Sequence, residues 1–146
     1  IDNPRVRAYH QMKERINNIS EKIKSVKEPM KVLVIEGEGE NKYRVYGPKT
    51  LVSDMVSKAG GTNVAKESGS VGVENIIEMN PDAIVLIHYL NQNKDNKEEK
   101  ALLENPALKK ENKIIYTPLS ETYAGGARTV EGIERIAKGL YPDLLK

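Results

Sequence analysis

Few residues in this 146-residue chain have the type and placement to do chemistry. "AIVLIHY" sets His88 and Tyr89 at the end of an apolar run. A neutral imidazole there can satisfy a strand end, hydrogen-bond a ligand or ligate a metal. "VIEGEGENK" continues a second apolar run with glycines, and so invites a test for nucleotide binding. Its spacing is not G-x-G-x-x-G, and the next segment reads as a strand where a phosphate loop needs a helix N-terminus. Its glutamates also repel a pyrophosphate. "YAGGAR" joins Tyr123 to Arg128 across paired glycines. Glycine lets backbone approach a ligand closely, and arginine offers charge-assisted bonds to an anion, though it equally suits a solvated helix. Tyr46 and Tyr89 are weaker candidates for a cleft. Cys is absent, which removes disulfides, thiolate metal sites and cysteine nucleophiles. The two histidines, His10 and His88, lie far apart, and no G-x-S-x-G, H-E-x-x-H or P-loop motif is present. Nothing in the sequence positions a catalytic set.

These residues must be held by elements legible from periodicity. Tyr9, Met12, Ile16, Ile19, Ile23 and Val26 recur at steps of three and four, which predicts a long amphipathic helix with Pro4 in its first turn. "KVLVIEG" (31–37), "AIVLIH" (83–88) and "KIIYTP" (113–118) read as buried strands, and "KYRVYG" (42–47) as a more exposed one with Tyr43 facing solvent. Residues 48–61 predict a helix with Pro48 in its first turn, stopped by Gly60-Gly61. Residues 73–80 predict a short helix capped from Ser70. "KEEKALLEN" and "PALKKEN" predict helical segments, and 125–145 contain the last helix; Tyr116 and Tyr141 read as packing residues. Strands alternating with helices predict an α/β fold, a three-layer lobe with a mostly parallel sheet flanked by helices and an antiparallel addition from 42–47. In such sheets ligands sit beyond the carboxyl ends of the strands. His88-Tyr89, Glu36–Glu40 and Leu119–Gly126 all fall there.

Composition narrows the classes further. The net charge is +2, with Lys and Glu interspersed, which argues against a nucleic-acid stripe. No run of apolar residues is long enough to span a membrane. Trp and Phe are absent, so seven Tyr supply all aromatic contacts. The opening "IDNPRVRAYH" lacks an initiator Met and the pattern of a signal peptide, which reads as a fragment or processed product.

Three stretches carry a resemblance: "LVSDMVSKAGGTNVA", "VENIIEMNPDAIVL" and "GGARTVEGIERIAKGLYPDL". In this order the chain resembles the C-terminal lobe of the class III substrate-binding proteins of ABC importers, those for ferric siderophores, haem and cobalamin. The resemblance implies that residues 1–28 are the C-terminal part of an interlobe backbone helix and 29–146 the ligand-binding lobe, with an N-terminal lobe missing. It implies no enzymatic activity and no cofactor of its own. It implies capture of an iron complex outside the cytoplasm, in a periplasm or from a lipid anchor, and delivery to an ABC permease. A ferric siderophore is the first expectation, haem the second and cobalamin the third. Glu74 stands where the family presents a glutamate to permease arginines; it equally suits a helix first turn. Tyr46, His88, Tyr89, Tyr123 and Arg128 are the expected ligand-binding residues, with no metal site in the chain itself. The apolar stripe of residues 9–26 further predicts some self-association of the fragment. The rival expectation is a stand-alone α/β enzyme or regulatory domain, which requires a self-contained pocket with perturbed titratable groups.

Overall fold

The computed structural model describes residues 3–39, 42–88, 104, 113–118, 122 and 127–145. Helix α1 (Pro4–Ile23) leads into β1 (Met30–Gly39), β2 (Lys42–Val45), α2 (Leu51–Lys58), β3 (Gly61–Asn63), β4 (Gly69–Val71), α3 (Val73–Met79), β5 (Ala83–His88), β6 (Lys113–Pro118) and α4 (Ala127–Leu140). The strands form one sheet in the order β4-β2-β1-β5-β6, with β3 also paired to β1. Strands β3, β5 and β6 continue β1 in parallel register, whereas β2 is antiparallel to β1 and β4 antiparallel to β2. This is the expected α/β fold, a mostly parallel sheet flanked by helices.

Both faces of the sheet are apolar, so both must be covered. Val32, Val34, Val85, Ile87 and Ile115 face one core, under α1, α2 and α4. Leu33, Ile35, Ile84 and Leu86 face the other, which Ile76 of α3 closes. Alternation along each strand therefore sorts one continuous apolar run into two cores. Helix α1 joins the first core through Ile16, Ile19 and Ile23, and Arg15 pairs with Glu134 of α4. That hydrogen bond with Glu134 is the leading reason the Arg15 guanidinium is held further toward its protonated form. The first turns of α1 stand away from the core, leaving Val6 and Tyr9 exposed. The self-association stripe expected over 9–26 is thus partly covered.

Several local expectations need correction. Tyr43 is buried, not solvent-facing, because β4 pairs along the outer side of β2 and makes it an interior strand. Tyr116, expected to pack, is 43% exposed on the last strand of the sheet path. Pro48 lies outside α2, whose N-cap is Thr50; the Thr50 hydroxyl accepts from the Ser53 N–H at 3.3 Å. Helix α3 is capped by Gly72, not Ser70, and the Asn75 side chain accepts the Gly72 N–H at 3.1 Å. Ser70 instead belongs to β4. The helices expected in "KEEKALLEN" and "PALKKEN" lie outside the described residues, apart from Glu104.

Candidate functional site at the carboxyl edge of the sheet

The sequence motifs with the strongest pattern turn out to fasten the amino-terminal half of the sheet. Gly60 has a φ of +92°, a conformation that favours glycine, and ends α2. Asn63, three residues later, donates to the Tyr46 carbonyl at 2.9 Å and the Ser53 hydroxyl at 3.0 Å, and accepts from the Ala65 N–H at 3.0 Å. One amide thus ties β2, α2 and the end of β3 together. In "NPD", Asn80 takes the left-handed cap of α3 with φ 48°. Asp82 then exchanges two bonds with Lys31 of β1, at 2.8 and 3.0 Å. Tyr141, from "LYP", donates to the Gly60 carbonyl at 2.7 Å and accepts from the Met30 N–H at 3.0 Å.

The other end of the sheet is built differently. Pairing registers place Arg44, Glu36, Ile87 and Thr117 in one row across β2, β1, β5 and β6, all on the α2/α4 face. His88 and Pro118 form the next pair, at the carboxyl ends of β5 and β6. Glu36 is 7% exposed and accepts a 2.7 Å hydrogen bond from the Tyr46 phenol. The Arg44 guanidinium lies over the Tyr46 ring, 5.4 Å from its centroid. This is cation–π range. Thr117 is wholly buried and its hydroxyl has no partner among the described residues; the Thr129 hydroxyl, in the first turn of α4, likewise has none among them. Buried polar groups are normally paired, so this edge carries polar capacity that the amino-terminal half has used up.

Of the residues singled out from sequence, Tyr46 is half-buried just past β2 and reaches the row through its bond to Glu36. His88 ends β5 beside it by register. Arg128 is exposed in the first turn of α4. Tyr89 and Tyr123 lie outside the described residues. Glu74 is exposed in the first turn of α3, on the opposite face of the sheet from α2 and α4. Arg44 was not singled out, and Glu36 only as part of the strand-end run Glu36–Glu40. Their signal was present: Arg44 and Tyr46 share parity on an alternating strand, and a hairpin folds them back on the end of β1. Two hollows of about 360 Å³ each flank Lys66–Ser68. The first is walled by Val45, Val64 and Met79, on the α3 face and so across the sheet from the row. Among the described residues no group of three His, Asp or Glu could hold a metal ion.

The arrangement can therefore bind, with cationic, phenolic and hydroxyl groups at one edge, but assembles no nucleophile and base among the described residues. Comparison with known proteins agrees. The family model described as periplasmic binding protein matches residues 6–119. Over 139 residues the chain is 30% identical to YvrC of Bacillus subtilis (strain 168), an uncharacterized ABC transporter substrate-binding lipoprotein, covering 92% of this chain and 44% of that protein. The fold matches an ABC-type Fe3+-hydroxamate transport system protein from Saccharomonospora viridis with a TM-score of 0.72 at 20% identity, covering 92% and 48% of the two chains. It matches a periplasmic heme binding protein from Pseudomonas aeruginosa with a TM-score of 0.70 at 23% identity, covering 92% and 51%. The chain spans about half the length of these relatives.

Proposed function

Since the chain belongs to the periplasmic binding protein family, we propose that it is one lobe of a solute-binding protein that captures an iron complex and hands it to an ABC permease. The family binds solutes for transport; it is not enzymatic and carries no cofactor of its own. In this reading residues 1–28 are the end of the helix joining two lobes and 29–146 the ligand-binding lobe. The exposed first half of α1, with Val6 and Tyr9 open, is consistent with a helix that serves a second lobe. The protein works outside the cytoplasm, a placement supported by the lipoprotein nature of the B. subtilis relative. Among the described residues no helix is long and apolar enough to cross a membrane.

The observation that carries the reading is the carboxyl edge of the parallel sheet, the place where such folds bind ligands, which here gathers the underpaired polar groups. Tyr46, His88 and Arg128 contribute from the described elements, Tyr89 and Tyr123 from the segments after β5 and β6. Two lobes closing on the ligand bury it between two such edges. A ferric siderophore is favoured and haem is second, a choice supported by the ferric hydroxamate and heme proteins of like fold. Glu74, on another element and the other face, meets a permease arginine.

Titration calorimetry of the 146-residue chain with ferric siderophores and haem tests ligand capture. Half a cleft offers roughly half the contacts, so dissociation constants of about micromolar or weaker are expected, each ~1.4 kcal/mol lost costing tenfold. Nanomolar binding by this chain alone overturns the two-lobe reading. In the two-lobed protein, Glu74→Gln should leave ligand affinity unchanged and weaken permease binding in liposomes. A collapse of ligand affinity with docking intact would instead place Glu74 in the ligand site.

A further inference from the structure

The polar row contains a cation whose position is set by two other residues. Arg44 is exposed on β2, and among the described residues no carboxylate lies within ion-pair reach of it. Its Cα is paired across the ladder with that of Glu36, yet the Glu36 carboxylate takes the Tyr46 phenol at 2.7 Å. The guanidinium rests over the ring of the same tyrosine, at 5.4 Å. A phenol that donates to a buried carboxylate gains electron density in its ring, and a richer ring face attracts a cation more strongly. Glu36 is almost wholly buried, and among the described residues its carboxylate is bonded by the Tyr46 phenol. A guanidinium held over a ring keeps its in-plane N–H donors, which match the oxygens of an anion.

We propose that Arg44 is a specificity-determining residue of the cleft that receives an anionic face of the ligand, and that Tyr46 and Glu36 are its positioning residues. The inference rests on the functional reading above and sharpens it: of the possible iron complexes, the site prefers those with net negative charge. The preference lives in one lobe and in β2, outside the segments that follow β5 and β6. Restricting a flexible side chain before the ligand arrives lowers the entropy cost of the contact. The relay turns a buried carboxylate, which by itself would repel an anion, into a support for the cation that attracts it.

The test uses the 146-residue chain with two gallium(III) complexes as diamagnetic probes, read by amide NMR shifts. One is a hexadentate tris-catecholate, which is triply anionic; the other is a hexadentate tris-hydroxamate, which is neutral. The wild-type chain should bind the anionic complex more tightly, with an affinity that falls as salt rises. Arg44→Gln should weaken the anionic complex by about tenfold and the neutral one by less than about twofold, as expected for loss of one charge-assisted contact. Arg44→Lys should recover part of the preference, because it keeps the charge but not the planar fork. Tyr46→Phe, which keeps the ring but frees Glu36, should reduce the preference by about threefold, within the range of a cation–π contact. Equal losses for both complexes in a folded Arg44→Gln variant would mark Arg44 as merely structural and overturn the inference, and so would an unchanged preference; either result leaves ligand capture standing. Absence of binding to both complexes by the wild-type chain overturns the siderophore reading and the inference with it.

Discussion

Asn63 makes three side-chain hydrogen bonds and the Tyr141 hydroxyl two in the amino-terminal half of the sheet. At the carboxyl edge, Glu36 has one partner among the described residues while the Thr117 and Thr129 hydroxyls have none. Both regions rest on the same strands and the same two cores. The difference lies in how polar groups are finished. In the first region each one joins two or more elements, so its bonds are part of what holds the fold together. In the second, Arg44, Glu36 and Thr117 share one row of the sheet with Ile87, and the Tyr46–Glu36 hydrogen bond ties Tyr46 to that row. A fold built this way can spend its stability at one end and keep hydrogen-bonding capacity for a ligand at the other.

The contrast is tested most strongly at Gly60. Its φ of +92° is strained for any side chain, and an added Cβ would lie 2.9 Å from the Ile23 side chain and 3.0 Å from the Tyr141 ring. A β-branched residue combines both penalties. Gly60→Val should cost about 3 kcal/mol, summing backbone strain and overpacking. Urea unfolding monitored by circular dichroism measures it. A loss under about 1 kcal/mol would show that the junction of α1, α2 and Tyr141 yields easily and is not a fastened end.

That glycine also shows which parts of the molecule the sequence made legible. The double glycine, the Asn-Pro-Asp turn and the terminal Leu-Tyr-Pro were the clearest motifs, because each needs a residue with unusual backbone or hydrogen-bonding properties. They proved to be fasteners. The three buried strands and the first and last helices were also legible, since apolar runs and three-to-four spacing depend only on burial. Strands β3 and β4 were not, because three residues each leave no periodicity to read. The misjudged exposure of Tyr43 stems from that gap: without β4, β2 looks like an edge. The site was half legible. The strand ends pointed to His88-Tyr89 and to Glu36–Glu40, but Glu36 and Arg44 become neighbours only through the hairpin register, a long-range fact that no local pattern carries.

Asn63 separates the two regions next. Its amide satisfies the Tyr46 carbonyl, the Ser53 hydroxyl and the Ala65 N–H together. Asn63→Ala leaves these part-buried groups without that partner, so a loss of about 2 kcal/mol is expected, the low end of three shared penalties of ~1 kcal/mol each, eased by water. The same urea titration measures it. Because the Tyr46 backbone is one of the three, the variant should also loosen the Tyr46 ring, visible as averaging of its NMR signals. A stable variant with an unchanged Tyr46 would mean that the row at the carboxyl edge is held by β1 alone.

The smallest effect should have the opposite sign, and it lies at the carboxyl edge. Thr117 is wholly buried on β6 with its hydroxyl unpartnered, in register with Ile87 and, beyond it, Glu36. Valine has nearly the shape of threonine and the same β-branch, so it keeps the strand preference and the fit. What changes is the removal of a hydroxyl that gave up water without gaining a partner. Such a group costs on the order of 1–3 kcal/mol in protein interiors. Part of that is regained as apolar contact when a methyl replaces it. Thr117→Val should therefore stabilise the chain by about 1 kcal/mol, while the same kind of deletion at Asn63 destabilises it. The measurement is again the urea midpoint, with the slope checked so that a change in the unfolded state is not mistaken for stability. A loss of stability would mean the hydroxyl holds a bond in solution, and the two ends of the sheet would then be finished alike. A gain, paired with weaker capture of the gallium complexes, would go further: the chain would be keeping an unpaired hydroxyl at a cost to its own folding because the ligand needs it.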